Sequence, residues 1–298
     1  MNESSLLIVG SIGLDEIKTP FESKKNVIGG STTYSLIAAS NNISVSIVGI
    51  IGNDFPDYGH QIFQSKASNL DDLQVVEGKT FRWGGLYHEN WDDRETLYTE
   101  LGVFSDFQPI LTKSNKNSSH IFLANIHPDL QKSVIEQNEN NDAIIVVDTM
   151  NLWIDIAKDS LLDVLSKSNI LLLNESEAYM LTDCDTLSDS ASTILDMGLD
   201  YVVIKKGSYG LEFFSLEDHK IVGAYPVNQV VDPTGAGDTF GGGFISALAS
   251  GLSKTDSLIY GSSLASLCVE GFGPEGILNV SDNEINRRIN FLKSALNS

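Results

Sequence analysis

Six short, largely apolar runs punctuate the chain, at residues 6–9, 45–51, 121–124, 144–147, 170–173 and 202–204. Between them apolar positions recur at helical spacing, as over 129–136, 160–165 and 190–197. A strand that is apolar along its whole length is buried on both faces, and strands separated by helices run parallel. The pattern therefore predicts an α/β fold with one mostly parallel sheet between two layers of helices. Ligands of such sheets bind beyond the carboxyl ends of the strands. That rule singles out the polar residues following the runs: Asp15, Asn53, Asp54, Asn125, Asp148, Asn174 and Lys206.

Two segments break the rhythm. Residues 15–28 are polar and extended in character, and residues 80–104 alternate aromatic or β-branched side chains with charged ones, as half-exposed antiparallel strands do. Together they predict a small sheet outside the main one, either as a lid over the strand ends or as plain surface hairpins, with residues 88–93 at an exposed tip. After Asp232 the pattern is almost wholly helical. The whole chain, 1–298, reads as one domain with the two lid segments inserted in it.

Composition narrows the partners. With 42% hydrophobic and 20% charged residues the chain buries a large core, and a net charge of −21 repels nucleic acid and acidic membranes over most of the surface. Any anionic ligand must be held locally. Cys184 and Cys268 have no Cys-x-x-Cys spacing, and the five histidines show no ligand spacing, so a disulfide framework and a zinc site are both unsupported. A reducing cytoplasm is the expected location. The opening residues lack a basic leader and read as the first strand, and no apolar run approaches the roughly 20 residues of a membrane span.

The densest chemistry lies in residues 230–244, VVDPTGAGDTFGGGF. Thr234 or Asp232 is placed to cap a helix starting near Gly235, where free backbone N–H groups and the helix dipole favour an anion. Gly241, Gly242 and Gly243 inside that helix cost about 1 kcal/mol each relative to alanine, so a neighbouring element or a ligand must come close. Phe240, Phe244 and Leu248 form the apolar stripe. Asp238 in the first turn, beside a phosphate cradle, suits a base that orients and deprotonates an alcohol attacking phosphorus.

DPTGAGDTFGGGF resembles the C-terminal signature of the ribokinase-like (PfkB) carbohydrate and nucleoside kinases. The resemblance implies an α/β/α ribokinase-like fold with a small β lid. It also implies an anion hole at Gly235, Ala236 and Gly237, and Asp238 as catalytic base. Further pieces match in order along nearly the whole chain. The stretch from Gly10 to Asp15 looks like the first strand ending in a sugar-binding aspartate. Gly29 and Gly30 resemble the Gly-Gly signature at a helix start, and Gly49 to Asp54 the Gly-x-x-Gly-x-Asp turn. Asn174 to Glu177 is similar to the Asn-x-x-Glu motif that positions metal and phosphates, and Lys206, Gly207 and Gly210 to the nucleotide-side turn.

By that likeness the acceptor is held by Asp15, Gly29, Gly30, Asn53 and Asp54, and Thr33, Arg82 and Asn125 are candidate acceptor contacts beside them. ATP is held by Asn174, Lys206, Gly207, Gly210 and Thr234. Mg2+ lies near Glu177 through water, and a monovalent cation such as K+ near Asp232 and the loop from Gly271 to Pro274. Pairing of lids in a homodimer is a further expectation.

The departures bear on the acceptor. Ser31, Thr32, Thr33 and Tyr34 stand where asparagines are common, and the stretch from Asp148 to Trp153 lacks the arginine of sugar-acid kinases. Arg82 is either its replacement, a phosphate contact, or a strand residue with its stem on Trp83. Trp83, Tyr87 and Trp153 are either stacking platforms or packing, so both nucleoside and sugar acceptors stay open. A dinucleotide-dependent oxidoreductase and a P-loop NTPase fail for want of Gly-x-Gly-x-x-Gly and Gly-x-x-x-x-Gly-Lys-[Ser/Thr]. The alternative from another class is a non-catalytic sugar or nucleotide sensor that keeps the fold.

Overall fold

The structure, a computed structural model, describes residues 4–91 and 94–296. The strands are β1 (Ser5–Val9), β2 (Gly13–Lys18), β3 (Ser23–Gly29), β4 (Ser44–Gly52), β5 (Asn69–Val76), β6 (Phe81–Tyr87), β7 (Arg94–Glu100), β8 (His120–Leu123), β9 (Ile144–Asp148), β10 (Ile170–Asn174), β11 (Tyr201–Lys205), β12 (Leu211–Phe214) and β13 (His219–Val222). The helices are α1 (Ser31–Ala39), α2 (Asp57–Lys66), α3 (Pro128–Gln137), α4 (Asn151–Ile156), α5 (Lys158–Leu165), α6 (Glu175–Thr182), α7 (Leu187–Leu195), α8 (Ala236–Ala249), α9 (Lys254–Cys268), α10 (Glu275–Leu278) and α11 (Asp282–Leu296).

Nine strands form the main sheet in the order β13-β12-β11-β10-β9-β8-β1-β4-β5. It is parallel from β5 to β11, with β12 and β13 added antiparallel at one edge. The six apolar runs are β1, β4, β8, β9, β10 and β11, and alternate side chains on each serve opposite layers. Leu6, Ile8, Phe122, Val146, Leu172 and Val203 pack with Leu36 of α1, Phe240 and Phe244 of α8 and Leu258 of α9. Leu7, Val9, Val147 and Ile204 pack with Val134 of α3, Leu161 of α5, Ala178 of α6 and Ile194 of α7. Strands β5, β12 and β13 escape the pattern because each has exposed or half-exposed positions towards the sheet edge.

The glycines of α8 are explained by neighbouring elements, not by a ligand. A Cβ on Gly241 would lie 2.4 Å from the Phe122 ring, on Gly242 2.3 Å from the Ser35 carbonyl oxygen, and on Gly243 3.0 Å from Leu264. The Ser35 hydroxyl donates to the Asp238 carbonyl at 3.1 Å, which ties α1 to the first turn of α8.

The two irregular segments form a separate sheet in the order β3-β2-β6-β7. Asp15 therefore sits inside β2 of this second sheet, opposite Trp83 and Val27, rather than at the end of the first strand. Ile17, Tyr87 and Phe272 form a small apolar cluster between the sheet and the loop after α9. Within the expected 88–93 tip, residues 92 and 93 lie outside the described residues, and His88 is exposed at a turn closed by Trp91 N–H to the His88 carbonyl.

Candidate active site

Helix α8 begins at Gly235, whose φ of 75° is left-handed and whose added Cβ would stand 2.3 Å from the Tyr34 ring. Only glycine meets both demands. Neither expected cap is used. Asp232, fully buried, accepts the Thr234 N–H at 2.9 Å through Oδ1 and the Gly273 N–H at 2.8 Å through Oδ2. The Thr234 hydroxyl donates to the Tyr87 hydroxyl of the small sheet at 3.1 Å. The turn is thus pinned from both sides, while the helix start has no side-chain cap. Its N–H groups keep their affinity for an anion.

Asp238 lies in that first turn, in a ring of charge. Asp148 ends β9 on the same strand face as Val146, and Lys205 ends β11 on the same face as Val203, so both reach towards α8. Lys205 Nζ donates to Asp148 Oδ1 at 2.9 Å and would be 3.4 Å from a Cβ on Gly237. Burial, then the Asp148 charge, pushes the Asp238 carboxyl up to about 7, with Lys205 and Arg94 pulling the other way. Asp15, 3% exposed, is pushed up to about 8 by burial and by the charges of Asp232 and Asp238. Burial opposes the Lys205 charge, yet Asp148 and Glu177 hold it above the ordinary lysine value. Strand ends, small sheet and helix start thereby bring one group of acids together around Lys205.

Among the residues expected to hold the nucleotide, Asn174 caps α6 through a reciprocal box. Its Oδ1 accepts the Glu177 N–H at 2.8 Å, and Glu177 Oε2 accepts the Asn174 N–H at 2.7 Å. Burial raises the Glu177 carboxyl and Lys205 draws it back. Lys206, expected at the site, instead bonds Glu212 Oε1 at 2.8 Å, because strand alternation turns it away from α8. Lys205 is the lysine at the cluster. Gly207 and Gly210 both have positive φ; a Cβ on Gly210 would stand 2.1 Å from the Val222 carbonyl, whereas Gly207 faces open space.

Among the residues expected to hold the acceptor, Gly29 makes room for Asp15, whose Oδ2 would be 2.0 Å from a Cβ there, and Gly30 has a φ of 87° against the Ser11 carbonyl. Thr33 is corrected: it is fully buried and its hydroxyl donates to the Gly29 carbonyl at 2.6 Å, so it braces the turn from beneath. Asp54 accepts the Thr80 N–H at 2.7 Å and Arg82 at 3.0 Å. These bonds lower its pKa against the effect of burial. Arg82 also donates to Asn26 Oδ1 at 2.7 Å, and the guanidinium over Trp83 is that of Arg94, so Arg82 is a brace between sheets rather than a free contact stacked on Trp83. Asn53 is exposed and accepts the Gly78 N–H at 3.3 Å. Asn125 accepts the Trp153 indole N–H at 2.8 Å and stands at the end of β8.

The profile of the pfkB family of carbohydrate kinases matches residues 11–279. The chain belongs to this family. The chain is similar to the cytidine kinase of Thermococcus kodakarensis, 27% identical over 83% of this chain and 89% of that protein. A nucleoside kinase of Methanocaldococcus jannaschii is 20% identical over 89% of this chain and 86% of its own. A candidate ribokinase II of E. coli, solved with ATP and Mg2+, superposes with a TM-score of 0.82 at 22% identity, covering 97% of this chain and 99% of that one. No helix among the described residues is long and apolar enough to cross a membrane.

In this kinase two side chains escaped the sequence reading, whereas Asp148 was among the strand-end residues it singled out. Lys205 is legible only by continuing the alternation of β11 past Val203. Arg94 on β7 acts on Asp238 and Glu177 from the small sheet, which no local pattern signals.

Proposed function

We propose that this pfkB family kinase transfers the terminal phosphoryl group of ATP to a primary hydroxyl of a nucleoside. The observation that carries the reading is the convergence of Asp15, from the small sheet, and Asp238, from the uncapped start of α8, close enough that the Asp238 charge helps to raise the Asp15 carboxyl. One acid grips the acceptor's hydroxyls. The other orients the attacking hydroxyl and takes its proton, while the N–H groups of Gly235, Ala236 and Gly237 receive the moving phosphoryl group. A nucleoside rather than a free sugar is favoured by the cytidine kinase relative, 27% identical over 83% of this chain against 24% over 91% for the ribokinase of Bacillus subtilis.

Among the described residues no three His, Cys, Asp or Glu side chains are grouped to ligate a metal. The donor set fits an ion carried mainly on phosphate oxygens, with Glu177 beside it through water. When bound, Mg2+ offsets charge on the phosphates. Asn174 and Glu177 hold the nucleotide end, and Lys205 supplies the protein's own positive charge below it. Closure of the small sheet over the acceptor excludes water and suppresses idle hydrolysis. A monovalent cation at Asp232 would share it with the Thr234 and Gly273 amides, and the buried, unpartnered Tyr34 hydroxyl supplies a nearby oxygen; activity independent of K+ removes this site.

ADP release with cytidine, adenosine, inosine, ribose and other pentoses tests the reading. Turnover of one or more nucleosides, lost in Asp238→Asn, is expected. Turnover of ribose alone would move the acceptor to free sugars, and binding without any ADP formation would make the chain a sensor.

A further inference from the structure

Lys205 is a lysine with a side chain only 19% exposed, and no motif of the chain accounts for it. A buried ammonium carries a desolvation cost of several kcal/mol unless paired, and this one has a partner in Asp148 at 2.9 Å. The pair does not close on itself. The same ammonium lies 3.4 Å from the position of a Cβ on Gly237, directly against the turn that presents Asp238. We propose that Lys205 is a positioning residue of the phosphoryl transfer: clamped by Asp148 beneath the first turn of α8, it keeps Asp238 ionised and available as the base.

The proposal rests on the kinase reading and adds a setting of its working pH. Asp238 is faced by Asp148 from β9, Lys205 from β11, Arg94 from β7 and Asp15 from β2. The Cys268 thiol faces it from α9 and is kept neutral because burial pushes it up to about 12. Glu177 on α6 acts on Lys205. Asp148 disfavours the Asp238 charge and Lys205 favours it. Asp148 thus has two effects, repelling Asp238 and anchoring the cation that steadies it. The Asp148 charge is the larger of the two, so removing it should lower the base even with the anchor lost, whereas removing Lys205 should raise it; simple damage to the fold does not give that pair of signs.

The test is the pH profile of kcat/KM between 5.5 and 9 for the wild type, Lys205→Met, Lys205→Arg and Asp148→Asn, together with a carboxyl 13C titration of Asp-labelled protein in which Asp238→Asn identifies the resonance. In Lys205→Met the acidic limb and the Asp238 resonance midpoint should move up by about one unit, the scale of losing an opposite charge. Lys205→Arg should hold both near their wild-type positions, and Asp148→Asn should move both down. A Lys205→Met profile that drops uniformly with an unmoved limb, or a resonance midpoint unchanged in the folded variant, overturns the proposal. The titration needs no substrate. A wild type that turns over nothing would overturn the kinase reading, while the midpoints would still decide the Lys205 coupling. If Lys205→Met fails to fold, Lys205→Gln carries the same decision through the Asp238 midpoint.

Discussion

Asp15→Asn replaces a carboxyl held almost entirely out of water by an amide of the same shape. In the folded chain Asp15 is pushed up to about 8, whereas an unfolded aspartate titrates at about 3.9. Between these values the folded state binds more protons than the unfolded one, so its stability falls as pH rises through the window. At about 1.4 kcal/mol per unit, the loss is about 1.5 kcal/mol at pH 5 and about 4 kcal/mol at pH 7. It levels off near about 5 kcal/mol at pH 8, where the folded carboxyl itself begins to ionise. Asparagine has no such titration. Urea unfolding of the two proteins at pH 5, 6, 7 and 8 should show the variant more stable, with a gain that grows with pH, while acceptor binding weakens. A gain that stays constant across these pH values, or a variant less stable at pH 8, would refute the claim that burial and the Asp232 and Asp238 charges hold Asp15 protonated.

Other changes test the site in different ways. Asp238→Asn should lower kcat by orders of magnitude with little effect on ATP binding, and wild-type kcat/KM should fall about tenfold per unit below a pH of about 7, because burial raises this base and only its ionised form accepts the proton. Gly242→Ala should destabilise the protein by about 1–3 kcal/mol in thermal or urea unfolding, since its methyl would meet the Ser35 backbone at 2.3 Å. Gly207→Ala, facing open space at a φ of 55°, should cost about 1–2 kcal/mol for its backbone conformation alone. Tyr87→Phe removes the acceptor of the Thr234 hydroxyl between the small sheet and the turn before α8 and should cost about 1 kcal/mol, read as faster amide exchange around 232–235.

Much of the fold was legible because its central strands are buried on both faces, which leaves unbroken apolar runs in the chain. The edges were less so. Strands β5, β12 and β13 carry exposed positions that dilute the pattern, and Asp15 was placed at a strand end because the turn after β1 hid the start of β2. At the site, the Gly-Ala-Gly-Asp turn was readable, since a left-handed glycine before an uncapped helix is a local property. Lys206 was preferred to its neighbour by motif position, yet alternation along β11 gives the inward place to Lys205. Thr33 and Arg82 were readable as polar residues near the site, but their hydrogen-bond partners, the Gly29 carbonyl and Asp54 with Asn26, lie on elements whose approach no spacing announces.

The order of residues by itself determined which segments are strands and helices, where the glycine turn falls, and the pfkB resemblance, since each depends on neighbours a few positions apart. Only the tertiary structure decided which acids come together, which of two adjacent lysines joins them, and in which direction each carboxyl's hold on its proton shifts. Ionisation depends on burial and on charges brought from distant strands. Asp15 and Asp238 acquire their chemistry only when the small sheet and α8 are folded close to one another.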